Sequence, residues 1–359
     1  MPFPRRHRSQ RTLDNQYRSN EFQDGAGTEN MRKLLLSLVV FLAPLLSSAQ
    51  QSRHFTFHYA FTVRDISQGQ KVEIWFPMAH SDAFQEVRVL RIEGDLPVTR
   101  AREKRFGNTL FHTVAPVAAK HDYTFDVVYD VVRHERIGLP RDGATPHFIK
   151  ASAKEANKYL GPDKLVPVTG RLADLAAKQV QGKTSETDRA RALYDSVFST
   201  MRYDKSGTGW GRGDAEWACD SKRGNCTDFH SLFISMTRSQ HIPARFEIGF
   251  SIPINKSSGE IPGYHCWADF YDSGYGWIPV DISEAWKDPG KKDYFFGAHD
   301  ANRLQFSMGR DLVLDPPQAG EPLNYFVYPY VEVEGKKWES VSNRFSFADV
   351  TKSNAATGQ

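Results

Sequence analysis

The stretch Arg223-Gly224-Asn225-Cys226-Thr227-Asp228-Phe229-His230, continued by Leu232, Phe233 and Met236, decides the fold. Phe229, Leu232, Phe233 and Met236 fall at i, i+3, i+4 and i+7, one apolar face of a helix that starts near Cys226. Gly224 and Asn225 suit the turn and cap such a start needs, and Pro243 ends the helix. The Cys226 thiol then stands beside unpaired backbone N–H groups at a helix N-terminus. That setting lowers a thiol pKa and supplies donors to a developing oxyanion.

Two strands follow. Tyr264-His265-Cys266-Trp267-Ala268-Asp269-Phe270-Tyr271 is rich in aromatics, Asp272-Ser273-Gly274-Tyr275-Gly276 reads as a turn, and Trp277-Ile278-Pro279-Val280-Asp281 completes a hairpin. With a five-residue loop over 272–276, Tyr271 pairs with Trp277, and Asp281 lies opposite Trp267, one diagonal step from His265 on the same face. An even loop would put imidazole and carboxylate on opposite faces. Nucleophile, base and orienting carboxylate thus arrive in the order Cys226, His265, Asp281, with Asp269 a second candidate for the orienting role.

These motifs resemble the transglutaminase-like family of the papain-like cysteine superfamily. Cys226 opens a helix, His265-Cys266-Trp267-Ala268-Asp269 is similar to the family's His-x-Trp-x-acid strand, and Pro279-Val280-Asp281 to its closing aspartate strand. The resemblance covers roughly Ser185 to Pro317. It implies Cys226 as nucleophile, His265 as general base and then acid, and Asp281 as the residue that holds the imidazolium, roles that triad chemistry also assigns on its own. It further implies acyl transfer from amide bonds of protein or peptide substrates through a thioester. Water as acceptor gives a protease or deamidase, the preferred reading, and an amine gives a transglutaminase. A non-catalytic binding module on the same fold is the alternative from another class. Trp210 is the oxyanion candidate, because some members of the family give that role to an upstream tryptophan.

The remaining candidates have plainer readings. The chain has three cysteines, Cys219, Cys226 and Cys266. Successive strand residues alternate faces, so if His265 faces the site Cys266 is expected to face away. Cys219 and Cys266 are then the pair available for a disulfide in an oxidising compartment. A zinc site from Cys219, Cys226, His230 and His265 is the rival, but there is no Cys-x-x-Cys pair and the spacing is irregular. No metal or cofactor is expected. His230, at i+4 from Cys226, is read as a helix-surface group or one standing behind the thiol.

Met31-Arg32-Lys33, the apolar run Leu34 to Leu46 and the small residues Ser47-Ser48-Ala49 read as a signal peptide over 31–49. Residues 1–30 are expected to be a non-native upstream extension. The apolar run is too short to span a bilayer and contains Pro44, so an exported, periplasmic or secreted protein without a stable membrane anchor is expected. The formal charge of +3 over the chain falls near zero once this region is removed, because residues 1–30 carry +1 and Arg32 with Lys33 carry +2. No nucleic acid partner is implied.

The fold class expected is α+β, with a papain-like/transglutaminase-like catalytic domain preceded by an antiparallel β-sandwich domain. Alternating runs at Phe55, Phe57 and Tyr59, at 72–76 and at 123–129 place the sandwich over residues 52–140. The catalytic domain is expected over 143–345. In it, Ser185 caps a helix with Ala190, Leu193, Tyr194, Val197 and Met201 on its buried face. The glycine-rich segment 205–223 reads as a long loop leading to the site. Strands at 311–314 and 325–333 are expected to complete the catalytic sheet, and residues 346–359 to form a flexible tail.

Overall fold

Along Ser52–Val63, Phe55, Phe57, Tyr59, Phe61 and Val63 are buried while Thr56, His58, Ala60 and Thr62 are partly exposed, the period-two pattern of a strand with one face in a core. This strand is the middle of a five-stranded antiparallel sheet ordered Ser258–Ile261, Val341–Asp349, Ser52–Val63, Tyr123–His134, Gln85–Gly94. A second antiparallel sheet runs Lys336–Lys337, Tyr330–Val333, Val72–Pro77, Thr109–Ala115, Thr99–Arg102. Their inner faces meet through aromatic rings, among them Phe76 against Phe61 at a centroid distance of 5.0 Å and against Phe125 at 5.6 Å. The computed structural model describes residues 51–351. The expected upstream extension and signal peptide lie outside the described residues.

A third, four-stranded sheet is ordered Gly276–Val280, His265–Asp272, Ala244–Ser251, Arg303–Met308. The helix Cys226–Ser239 packs on it, with Phe233 against Phe270, and the helices Arg171–Gln179 and Glu186–Thr200 cover that helix from outside. Ser185 caps Glu186–Thr200 by accepting from Asp188 N, and Ala190, Leu193, Tyr194 and Val197 form its buried face. The α+β class, a sandwich joined to a transglutaminase-like helix-on-sheet unit, is as expected from the sequence.

Three expectations need correction. Tyr330–Val333 pairs with Val72–Pro77, and Val341–Asp349 pairs with Ser52–Val63, so the C-terminal strands complete the sandwich rather than the catalytic sheet. The alternation of Phe345 and Phe347 identifies a strand, but its partner lies almost 290 residues away in sequence, where no local pattern reaches. For the same reason residues 346–349 are strand and not tail. Within the expected loop 205–223, Ala215–Ser221 is a helix capped by Asp214, which accepts from Trp217 N at 3.1 Å.

The apolar core runs without a break between the two halves. Phe57 and Tyr59 of the sandwich pack against Phe250 and Phe306 of the four-stranded sheet, Phe57 to Phe250 at 5.0 Å. The sandwich is therefore part of the platform that holds the four-stranded sheet in place.

Candidate active site

Asn225 caps the Cys226 helix: its Oδ1 accepts from Thr227 N at 2.9 Å, and Asp228 reaches back to Asn225 N at 2.9 Å, closing a capping box. Gly224 enters the turn at φ 151°, and a Cβ there would collide with the Asp228 carboxylate. The helix is buried on all sides from Cys226 to Arg238, including its polar residues. Cys226 itself is 2% exposed.

The hairpin has the five-residue-loop register. Tyr271 pairs with Trp277 and Ala268 with Val280, which carries Asp281 to the position opposite Trp267. His265 Nε2 lies 2.7 Å from Asp281 Oδ2. Cys226 and His265 interact side chain to side chain. Asp281 is fully buried and caps the helix Ile282–Lys287, its Oδ1 accepting from Ser283 Oγ and Glu284 N, both at 3.0 Å. Arg303 adds a bond to Oδ2 at 3.2 Å and stacks over Trp267.

The electrostatics are those of an ion pair. Burial opposes a thiolate, but contact with Cys266 and with the His265 imidazole overcomes it and holds Cys226 well below the ordinary thiol value. Burial likewise opposes the imidazolium, yet the Asp281 charge and hydrogen bond, with Cys226, push His265 up to about 10. Asp281 is held well below the usual carboxylate range against its burial, chiefly by His265. The structure thus brings Cys226, His265 and Asp281 into one chain of contacts. The two shifts, thiol down and imidazole up, both favour the thiolate–imidazolium form.

Other sequence candidates fall differently. Asp269 is bound to Arg136 at 2.9 and 3.1 Å and to Arg245 at 2.6 Å, away from His265. Trp210 donates its indole N–H to Gly207 O at 3.1 Å within its own turn, so that donor is not directed at the thiol. Cys266 does not face away from the site: its Sγ lies 3.7 Å from Thr227 Oγ1 and 3.8 Å from His230 Nδ1. The Cys226 helix crosses the face to which Cys266 points, and the thiol sits at the strand end, where both faces border it. All three cysteines are free. His230 is fully buried behind the thiol, not on a helix surface, and its Nε2 accepts from Ile282 N at 3.1 Å. Burial lowers its pKa, so it is a neutral prop between helix and hairpin.

Four further residues shape the site. Tyr264 places its hydroxyl 2.8 Å from Thr227 Oγ1 and accepts from Asn225 Nδ2 at 3.0 Å, bracketing Cys226 from both neighbours. Asp228 accepts from Gly211 N at 2.7 Å and Gly213 N at 3.0 Å, tying the glycine-rich loop to the helix start. Arg310, 1% exposed, donates to Gly213 O at 2.8 Å and Arg212 O at 3.1 Å and holds the loop from the other side. Arg303 braces Asp281. Only Asp228 carried a sequence signal, as the acid three residues after an Asn cap. Beside Tyr264 the loop forms one wall of an open groove of about 540 Å³, lined by Trp210, Arg212, Tyr325 and Tyr328.

Residues 173–282 match the family model of the transglutaminase-like superfamily. The matched segment contains Cys226, His265 and Asp281, and the likeness to that superfamily rests on it. An uncharacterized protein of Haemophilus influenzae is 28% identical over 335 residues, covering 83% of this chain and 90% of that one. YebA of Bacillus subtilis is 22% identical over 156 residues, 38% of this chain and 21% of its own length. Among solved structures, a candidate cysteine protease from Cytophaga hutchinsonii superposes with a TM-score of 0.53 at 15% identity, covering 84% of this chain and 92% of that chain. That likeness is one of fold, and it extends over the sandwich as well as the core.

Proposed function

We propose that the protein is a cysteine-dependent hydrolase of amide bonds in protein or peptide substrates, working through a Cys226 thioester. The observation that carries this reading is the buried contact of 2.7 Å between His265 and Asp281 with the thiol against the same imidazole. The Cys226 thiolate attacks the amide carbonyl, and the His265 imidazolium gives its proton to the departing amine. Neutral His265 then takes a proton from the water that attacks the thioester, and the acid leaves as the thiolate–imidazolium pair is restored. Asp281 keeps the ring in the tautomer and orientation that both steps need. The Cys226 N–H and the Tyr264 hydroxyl are the oxyanion donors we assign, in place of Trp210.

Hydrolysis is preferred over transfer to an amine because water is always present and no feature among the described residues marks an amine-binding, water-excluding tunnel. Among the described residues no helix is long and apolar enough to cross a membrane. With the 31–49 leader, we assign the protein to the periplasm or the medium. The deciding experiment measures ammonia release from glutamine-containing peptides and cleavage of the same peptides, with and without an added primary amine, for wild type and Cys226→Ala. Amine incorporation would replace hydrolysis by transfer, and activity retained in Cys226→Ala would refute the mechanism.

A further inference from the structure

Behind the four-stranded sheet, where it meets the sandwich, lies a cavity of about 180 Å³ lined by His80, Arg133, Arg136, Arg245, Glu247 and Gln305. One of its guanidinium groups has no direct ion pair. Arg136 and Arg245 share Asp269, and Arg245 also binds Glu247 at 2.9 Å, so two carboxylates answer two guanidinium groups. Arg133, 3% exposed, is the third: it donates to the neutral Gln85 Oε1 at 3.1 Å and forms no ion pair among the described residues. Asp82 also lines the cavity and is the strongest negative influence on Arg133, but the two form no direct ion pair, and Asp82 Oδ1 accepts from Phe84 N and Gln85 N. On the residues that line the cavity, four buried side-chain nitrogens have no hydrogen-bond partner among the described residues: Arg133 Nε, Arg136 Nε, Gln305 Nε2 and His80 Nδ1.

We infer that this cavity binds a small oxyanion, a carboxylate or an inorganic oxyanion, on Arg133, Arg136 and Gln305. A buried guanidinium without a counter-charge is expensive, and several unpaired donors around one cavity call for a ligand with several acceptor oxygens, which a halide does not have. Burial pushes Arg133 down to about 10, the mark of a cation poorly compensated where it stands. Burial and Asp269 together push Glu247 up to about 7, so it is a weakened counter-charge to the guanidinium groups around it. His80 and Arg133 come from the sandwich, and Arg245 and Gln305 from the four-stranded sheet. Binding therefore fastens the two together.

The test is thermal unfolding of the full chain in sodium acetate, sodium phosphate and sodium chloride at matched ionic strength. A saturable rise in Tm over the chloride series is expected, on the order of 4 °C at a concentration 100-fold above Kd. A rise with acetate alone identifies a carboxylate site, and with phosphate alone an inorganic oxyanion site. Arg133→Met is expected to abolish the saturable rise. Gln305→Leu, which leaves the charge untouched and decides the matter if Arg133→Met does not fold, is expected to raise the half-saturating concentration about tenfold. No rise beyond chloride, or an equal rise in both variants, overturns the site.

Discussion

Replacing Asp281 by Asn removes the charge that holds His265 protonated while leaving a side-chain oxygen to cap the Ile282–Lys287 helix. His265 stands at about 10 against an ordinary 6.5, a gap worth about 5 kcal/mol at 1.36 kcal/mol for each tenfold change. Asp281 shares that effect with Cys226 and Glu284, so the substitution is expected to lose about half, roughly 2–3 kcal/mol, or about 30- to 150-fold in the thiolate–imidazolium population. The sign follows from the direction. A raised imidazole contributes fully below 6.5 and loses its contribution as pH rises toward 10, so the variant's alkaline limb moves down toward neutrality. The assay needs no substrate: the rate of iodoacetamide labelling of Cys226 is followed by mass spectrometry across pH 4–10, with Cys219, whose pKa burial raises, as internal reference. Wild-type Cys226 is expected to label as a thiolate well below the pH at which Cys219 does. A wild-type profile that follows Cys219, or an Asp281→Asn profile unchanged from wild type, refutes the ion pair.

Tyr264→Phe, if the hydroxyl is an oxyanion donor, is expected to lower kcat about 10²-fold with little change in KM, whereas Trp210→Phe changes kcat less than about threefold; steady-state kinetics on a cleaved peptide separate the two. Gly224→Ala is expected to cost about 2–4 kcal/mol, read by denaturant titration, because a Cβ at φ 151° strikes the Asp228 carboxylate that closes the cap. Arg310→Met is expected to free residues 205–214, seen as new cleavage in that loop under limited proteolysis and a fall in kcat/KM, since the guanidinium holds the carbonyls of Arg212 and Gly213. A protected loop in that variant would show that Asp228 alone is sufficient.

The parts of the fold written in short-range pattern were legible. Helical spacing from Phe229 to Met236, the Asn225 cap and the odd-length hairpin loop together bring a thiol, an imidazole and a carboxylate to one place. What depends on long-range pairing was not. Phe345 and Phe347 alternate as any strand does, and nothing near them names Tyr59 and Phe57 as partners. Cys266 was misassigned because alternation along a strand says which face a side chain takes, while a helix crossing the strand end decides what that face meets. Arg303, Arg310 and Tyr264 carry no motif. Their roles arise from where three distant segments happen to converge.

The pairing of Phe55 with Asp349 has a consequence for the making of the protein. The strand Ser52–Val63 cannot complete its pairing until residues almost 290 positions later have been made, while the thiol-bearing helix and its hairpin, local in sequence, need no such delay. Assembly of the sandwich is therefore expected to be the slow step of folding, and formation of the thiol-bearing helix and hairpin the fast one.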